Sequence, residues 1–202
     1  MANSEIDVCA QALLLLGLPP IASFDDGSDK ALICANLHET VIDGLLRSYP
    51  WRFAMRKAAL NRLAQTPKNQ WKHGFQLPSD RLGGPRAVFA ADAVSAPPIA
   101  EFEIFGDKLF ANETSIWIDY PFKPLVRAWP PHFTQLAVYA CAAMFADALT
   151  EENKKAERWH RIAFGTPAEG TAGGYLRTAK AIDAAENPPE VFRDYPLVAA
   201  RY

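Results

Sequence analysis

The sequence predicts an α+β fold: a helical bundle formed from the N- and C-terminal parts, a β-rich insertion between them, and an extended C-terminal tail. Three observations predict it. Apolar residues recur at helical spacing toward both ends of the chain. Between about 85 and 128, short β-branched and aromatic runs alternate with Gly and Pro instead. Beyond Asn187-Pro188-Pro189 the apolar residues follow no period. In residue ranges, 1–66 and 130–187 are expected to form the bundle, 67–129 the insertion and 188–202 the tail.

The first helix is expected to open at Asn3-Ser4, either of which caps, with Glu5 and Asp7 where the positive end of the helix dipole favours acid. Ile6, Cys9, Ala10, Leu13 and Leu16 follow at helical spacing, and Gly17 with Pro19-Pro20 ends the run. Asp25-Asp26-Gly27 reads as a turn into Ser28, which caps a second helix. Its stripe runs Ala31, Cys34, Ala35, His38, Ile42, Leu45 and Tyr49 before Pro50 stops it. From Trp51 to Leu63 strand and short helix both fit. Thr66–Gln70 reads as loop, and Pro78 keeps Leu77 extended.

Phe102–Phe105 and Lys108–Phe110 flank a Gly106-Asp107 turn and predict a hairpin; Ser115–Tyr120 predicts a third strand. Pro130-Pro131 then restarts helix, and Phe133–Leu149 is apolar nearly all round, which places it at the centre of the bundle. Thr150, with Glu151 and Glu152 behind it, is expected to cap a fourth helix that turns Trp159 and Ala163 inward. After a break at Gly165–Gly174, a last helix runs from about Tyr175 to Glu186.

The 202 residues are half hydrophobic, enough to bury a core and too apolar for a disordered chain. Twenty-one Lys and Arg against 23 Asp and Glu give a formal charge of −2, not the basic balance of a protein that grips nucleic acid strongly. The three cysteines, Cys9, Cys34 and Cys141, form no CxxC pair and read as buried thiols of a reducing compartment. The N-terminus lacks the basic start of a secretory signal. The longest apolar stretch, Leu136–Ala146, falls short of the roughly 20 residues of a membrane span. A soluble protein made in the cytoplasm, without membrane contact, is expected.

The motif search predicts no catalytic residue, no cofactor and no metal. His38-Glu39 would need a second His at i+4 to bind zinc, and Ile42 stands there, so His38 reads as a polar residue on a helix flank. His73, His132 and His160 read as ordinary surface or interface residues. Asp25–Asp29 lacks the Glu that closes a calcium loop, since Asn36 holds that position. Gly83-Gly84 and Gly173-Gly174 fit no phosphate-binding motif, and no GxSxG elbow is present. Trp51 and Phe53, just past a helix stop, are expected to fill the corner between bundle and insertion, with a contact between subunits as the alternative. The apolar tail residues Phe192, Tyr195, Leu197, Val198 and Tyr202 dock either on their own domain or on a partner.

Several stretches together carry a family resemblance. Ala12-Leu13-x-x-Leu16-Gly17-x-x-Pro20-Ile21-x-Ser23 is followed by Asp26, Ser28, Ala31 and Cys34, then by Leu45-Leu46-Arg47-x-x-Pro50-Trp51-x-Phe53-Ala54. This resembles the head-to-tail adaptor proteins of tailed phages, the tail tubular protein A group. Phe75-x-Leu77-Pro78-x-Asp80 is similar to that family's YxLPxD segment, with Phe75 in place of Tyr. Ala181-x-Asp183-x-x-Glu186-Asn187 matches in position. Residues 85–128 match only as strands, and Gly165–Gly174 resembles an insertion.

The resemblance implies a virion structural protein and not an enzyme. It implies a ring, commonly of twelve copies, between the portal protein and the tail nozzle or tube, with DNA passing through its lumen without sequence specificity. The free chain would be mainly monomeric. The tail residues Phe192, Tyr195, Leu197, Val198 and Tyr202 would dock on the portal, and Trp51 and Phe53 would lie at contacts between elements or subunits. The alternatives are a small phage glycan hydrolase built on carboxylates such as Glu101, Glu103, Asp107 and Asp119, an accessory neck protein of a gene-transfer particle, and a nucleic-acid-binding module.

Overall fold

A computed structural model describes residues 4–92, 96–150, 152–169 and 173–186. The fold is mixed α+β, with five helices and two antiparallel sheets among the described residues. The helices are α1 (Glu5–Leu15), α2 (Asp29–Ser48), α3 (Pro131–Leu149), α4 (Asn153–Phe164) and α5 (Gly174–Ala185).

Local chemistry sets the helix ends. Ser4 and Asp7 form a reciprocal capping box, with the Asp7 amide donating to Ser4 Oγ at 3.2 Å and the Ser4 amide donating to Asp7 Oδ2 at 3.1 Å. At the other end of α1, Gly17 takes φ of 77°. The Gly17 and Leu18 amides turn back to the Leu14 and Leu13 carbonyls, a Schellman closure open to a residue without Cβ. Asp26 accepts from the Ser28 amide and hydroxyl, and Ser28 caps α2 by accepting from the Ala31 amide.

Helix α3 is the bundle's axis. It packs against α1, α2, α4 and α5, and Phe133, Leu136, Ala137, Ala140, Cys141, Ala142, Ala143, Phe145 and Ala146 are all fully buried. Its run of small residues lets four neighbours approach closely. Only a helix enclosed on every side tolerates an apolar circumference.

The seven strands form two sheets. In the first, β1 (Met55–Ala59), β7 (Trp117–Pro121) and β4 (Ala87–Phe89) lie in the order β1-β7-β4. In the second, β2 (Asn61–Arg62), β3 (His73–Gln76), β6 (Lys108–Ala111) and β5 (Phe102–Phe105) lie in the order β2-β3-β6-β5. Leu60 carries the chain from one sheet to the other, its amide donating to the Ile116 carbonyl at 2.8 Å. Phe75, Leu77, Val88, Leu109, Ile116, Ile118 and Tyr120, drawn from both sheets, share a core separate from that of the bundle.

Several expectations are corrected. The strands β1 and β2 fall inside 1–66, the range assigned to the bundle, yet pair within the sheets; Met55 lies opposite Pro121. The expected third strand is present as β7 and lies central in the sheet that does not hold the β5–β6 hairpin. Thr150 does not cap α4. It terminates α3, its hydroxyl donating to the Ala146 carbonyl at 2.8 Å, and α4 begins after Glu152 without a side-chain cap. His38 and His132 are buried, at 7% and 6% exposure, where a helix flank and a surface or interface position were expected. Each lies on the inward stripe of a helix that packs on two or more others, and burial there overrides the polar character of the ring.

Candidate interaction surfaces

The corner between bundle and sheets is built by the sequence Tyr49 to Ala54. Pro50 ends α2, a single 3-10 turn over Arg52–Ala54 follows, and β1 starts at Met55. Trp51 is fully buried. Its Nε1–H donates to the Leu45 carbonyl at 2.8 Å, and its ring meets Phe133 edge-on at 5.1 Å and Tyr49 at 5.0 Å. Phe53 is half-buried and lies 4.8 Å from the Phe133 ring. The structure thus brings these two expected site residues together on α3. The contacts of Trp51 are to its own chain, while Phe53 keeps an open side. The tail residues Phe192, Tyr195, Leu197, Val198 and Tyr202 lie outside the described residues.

A polar cluster under this corner escaped sequence reasoning. Asp183 on α5, 2% exposed, accepts from the Arg52 amide at 3.3 Å and 3.4 Å. His132 Nε2 on α3 lies 3.8 Å from Asp183 Oδ1, too long for a hydrogen bond. The Arg52 guanidinium reaches the Glu186 carbonyl at the end of α5. The C-terminal end of α5 is thereby fastened to the corner. The signal was present in Asp183, an acid on the inward stripe with Leu176 and Ala179, but its partners lie more than 50 residues upstream.

Burial holds the Asp183 carboxyl above the usual carboxylate range, against the Arg52 amide and the nearby His132. A folded pKa above the unfolded one means the charged form is disfavoured by folding. That cost is present at neutral pH and vanishes as pH falls through the folded value toward the unfolded one near 3.9. Asp183→Asn keeps an oxygen for the Arg52 amide. It is expected to melt above wild type at pH 7, with the difference closing by about pH 4. A lower melting temperature at pH 7 would show that the charge itself is needed.

The motif positions are structural. Asp80 accepts from Arg56 at 2.6 Å and from the Tyr120 hydroxyl at 3.1 Å, tying the turn after β3 to β1 and β7. Phe75 and Leu77 are buried in the sheet core. Gly74 lies between His73 and Phe75 with Phe110 3.2 Å from where a Cβ would stand.

Three of the four carboxylates weighed for hydrolysis are otherwise engaged. Glu103 accepts from Trp71 Nε1 at 2.6 Å and from Gln70 at 2.9 Å. Asp107 is held below its usual pKa range by the Gln76 amide, the wrong direction for a general acid. Asp119 lies 4.0 Å from Lys57. The cysteines are all buried and free. Burial pushes the Cys141 thiol up to about 12, and the hydrogen bond with Cys34, together with burial, raises Cys9, so both thiols stay protonated. Among the described residues no group of three His, Cys, Asp or Glu is placed to hold a metal ion, and no helix is long and apolar enough to cross a membrane.

No protein-family model matches this chain, and no curated protein matches it significantly.

Proposed function

We propose that the chain is a virion structural protein: a head-to-tail adaptor that forms a ring with its own copies between a portal and a tail nozzle or tube, and lets DNA pass. The observation that carries this reading is the meeting of the two stretches that bear the resemblance. Leu13, Leu16 and Ile21 from the first, and Leu45, Leu46, Trp51 and Ala54 from the second, are buried in one core around α3. Both stretches thus contribute side chains to one core.

The two-part architecture supports the same reading. A ring is made of heterologous contacts, which need two different complementary faces on one subunit. A helical bundle beside a pair of sheets offers unlike faces. The fastening of α5 to the corner also suits a protein whose C-terminal segment bears a docking load, because the segment leaves from an anchored helix end. Ordering such a segment on the portal costs about 2–5 kcal/mol, which keeps free copies from associating before the portal gathers them.

The test is truncation. Deleting residues 190–202 is expected to abolish co-sedimentation with the portal protein encoded by the same genome, while the thermal melt stays within about 2 °C of wild type. If the shortened chain unfolds, the segment belongs to the domain's own core. If it still binds portal, docking uses another surface. Either result removes the reading of the tail.

A further inference from the structure

We propose that the junction between the bundle and the three-stranded sheet is a groove for the phosphate backbone of nucleic acid. Two clefts adjoin there, of about 800 Å³ and 380 Å³, sharing Tyr49, Pro50, Met55 and Arg86. The larger is lined by Arg52, Arg56, Lys57 and Arg86 against Asp119 and Asp183; the smaller adds Arg47. Lys180 stands on the rim, its Nζ 5.7 Å from the centre of the Tyr49 ring.

The balance of charge decides the ligand. Two of these cations are matched, Arg56 by Asp80 at 2.6 Å and Lys57 by Asp119 at 4.0 Å. Asp183 is turned to the Arg52 amide. Arg47, Arg52 and Arg86 have no carboxylate within ion-pair distance among the described residues, and all three are exposed. Arg47 faces the carbonyl end of α2 and Arg52 uses one donor on the Glu186 carbonyl, which leaves each with further N–H groups for an outside acceptor. On a chain of net charge −2, this is a local positive excess.

Arg47 and Arg52 flank the end of α2, Arg86 directly precedes β4, and together they line both clefts of an open groove, the arrangement that meets a repeating anion instead of one carboxylate. An acidic peptide would also need an apolar anchor site. The aromatic ring here, Tyr49, is already covered by Trp51 on one side and Lys180 on another. With about three phosphate contacts, affinity falls roughly 40-fold between 50 and 200 mM salt. Such binding is weak and indifferent to sequence, and it permits sliding.

The inference goes beyond the ring reading and is tested apart from it, with no portal present. The full-length protein is titrated onto a fluorescent duplex of about 20 base pairs at several salt concentrations, read by anisotropy. Wild type is expected to bind at about 50 mM salt with a log–log slope near −3. Arg47→Ala with Arg86→Ala is expected to reduce that slope by about 2, since each phosphate contact contributes about 1. Lys154→Ala with Arg158→Ala, an equal loss of charge on the exposed face of α4, is expected to leave it unchanged. No binding at 50 mM salt, an equal effect of both double variants, or tighter binding of poly-glutamate than of the duplex would each overturn the proposal. Loss of DNA binding would leave portal docking untouched.

Discussion

Replacing Trp51 with Ala is expected to cost about 3–5 kcal/mol, a large part of the 5–15 kcal/mol that holds a typical domain folded. The indole is fully buried among Tyr49, Phe133 and His132, and it closes the bundle where the chain leaves for the sheets. Truncation removes the ring and opens a void that α3, packed on four helices, is poorly placed to fill. Trp51→Phe separates the contributions. The Leu45 carbonyl also accepts from the Ser48 hydroxyl at 2.8 Å, so losing the indole N–H does not orphan it. That variant should lose only about 1–2 kcal/mol. Urea denaturation reads both, as a shift in midpoint at constant slope. A loss below about 1 kcal/mol in Trp51→Ala would mean that the corner is not part of the stabilising core.

Gly174→Ala has the second largest expected effect. Gly174 has φ of 55°, and a Cβ there would stand 2.6 Å from the Gly165 nitrogen and 2.7 Å from the Ile162 carbonyl oxygen. Those are backbone atoms of the end of α4 and cannot swing aside as a side chain would. The backbone strain and the forced displacement together should cost about 2–4 kcal/mol. In a chain of this size that lowers the melting temperature by roughly 5–15 °C. Gly27→Ala is the internal comparison. Its φ is 74°, but nothing lies within 4 Å of the added methyl, so only the backbone preference is lost, about 1 kcal/mol. Equal effects at the two positions would deny the close approach of α4 and α5 that Gly165 and Gly174 provide.

The helices were legible because each is long enough to show its period, and Ser4 and Ser28 marked the starts of α1 and α2. Phe133–Leu149 declared its central place by lacking a polar face, and Gly106-Asp107 declared the β5–β6 turn. The strands β1 and β2 were not legible. They are short, and Met55–Ala59 presents Arg56 and Lys57 outward with no apolar alternation. Nor does local sequence say which sheet a strand joins, so the partners of β7 were not legible. Thr150 misled because hydroxyl residues satisfy either end of a helix, here bonding back to Ala146. The Asp183 cluster and the Arg47, Arg52 and Arg86 groove depend on residues from distant segments. A whole-chain charge of −2 averages such a patch away.

The register of β1 against β7 has a consequence for how the protein diversifies. Met55 faces Pro121, so the chain enters the β-rich part and leaves it at adjacent points, both beneath the Trp51 corner. Apart from Leu82, which packs against the bundle core, what lies between them can lengthen, shrink or be exchanged for another β-structure while the helices keep their spacing. Lineages can therefore remodel the sheets to match a new companion surface while the bundle remains constant, and a chimera that swaps residues 56–120 between distant variants should retain its helical scaffold.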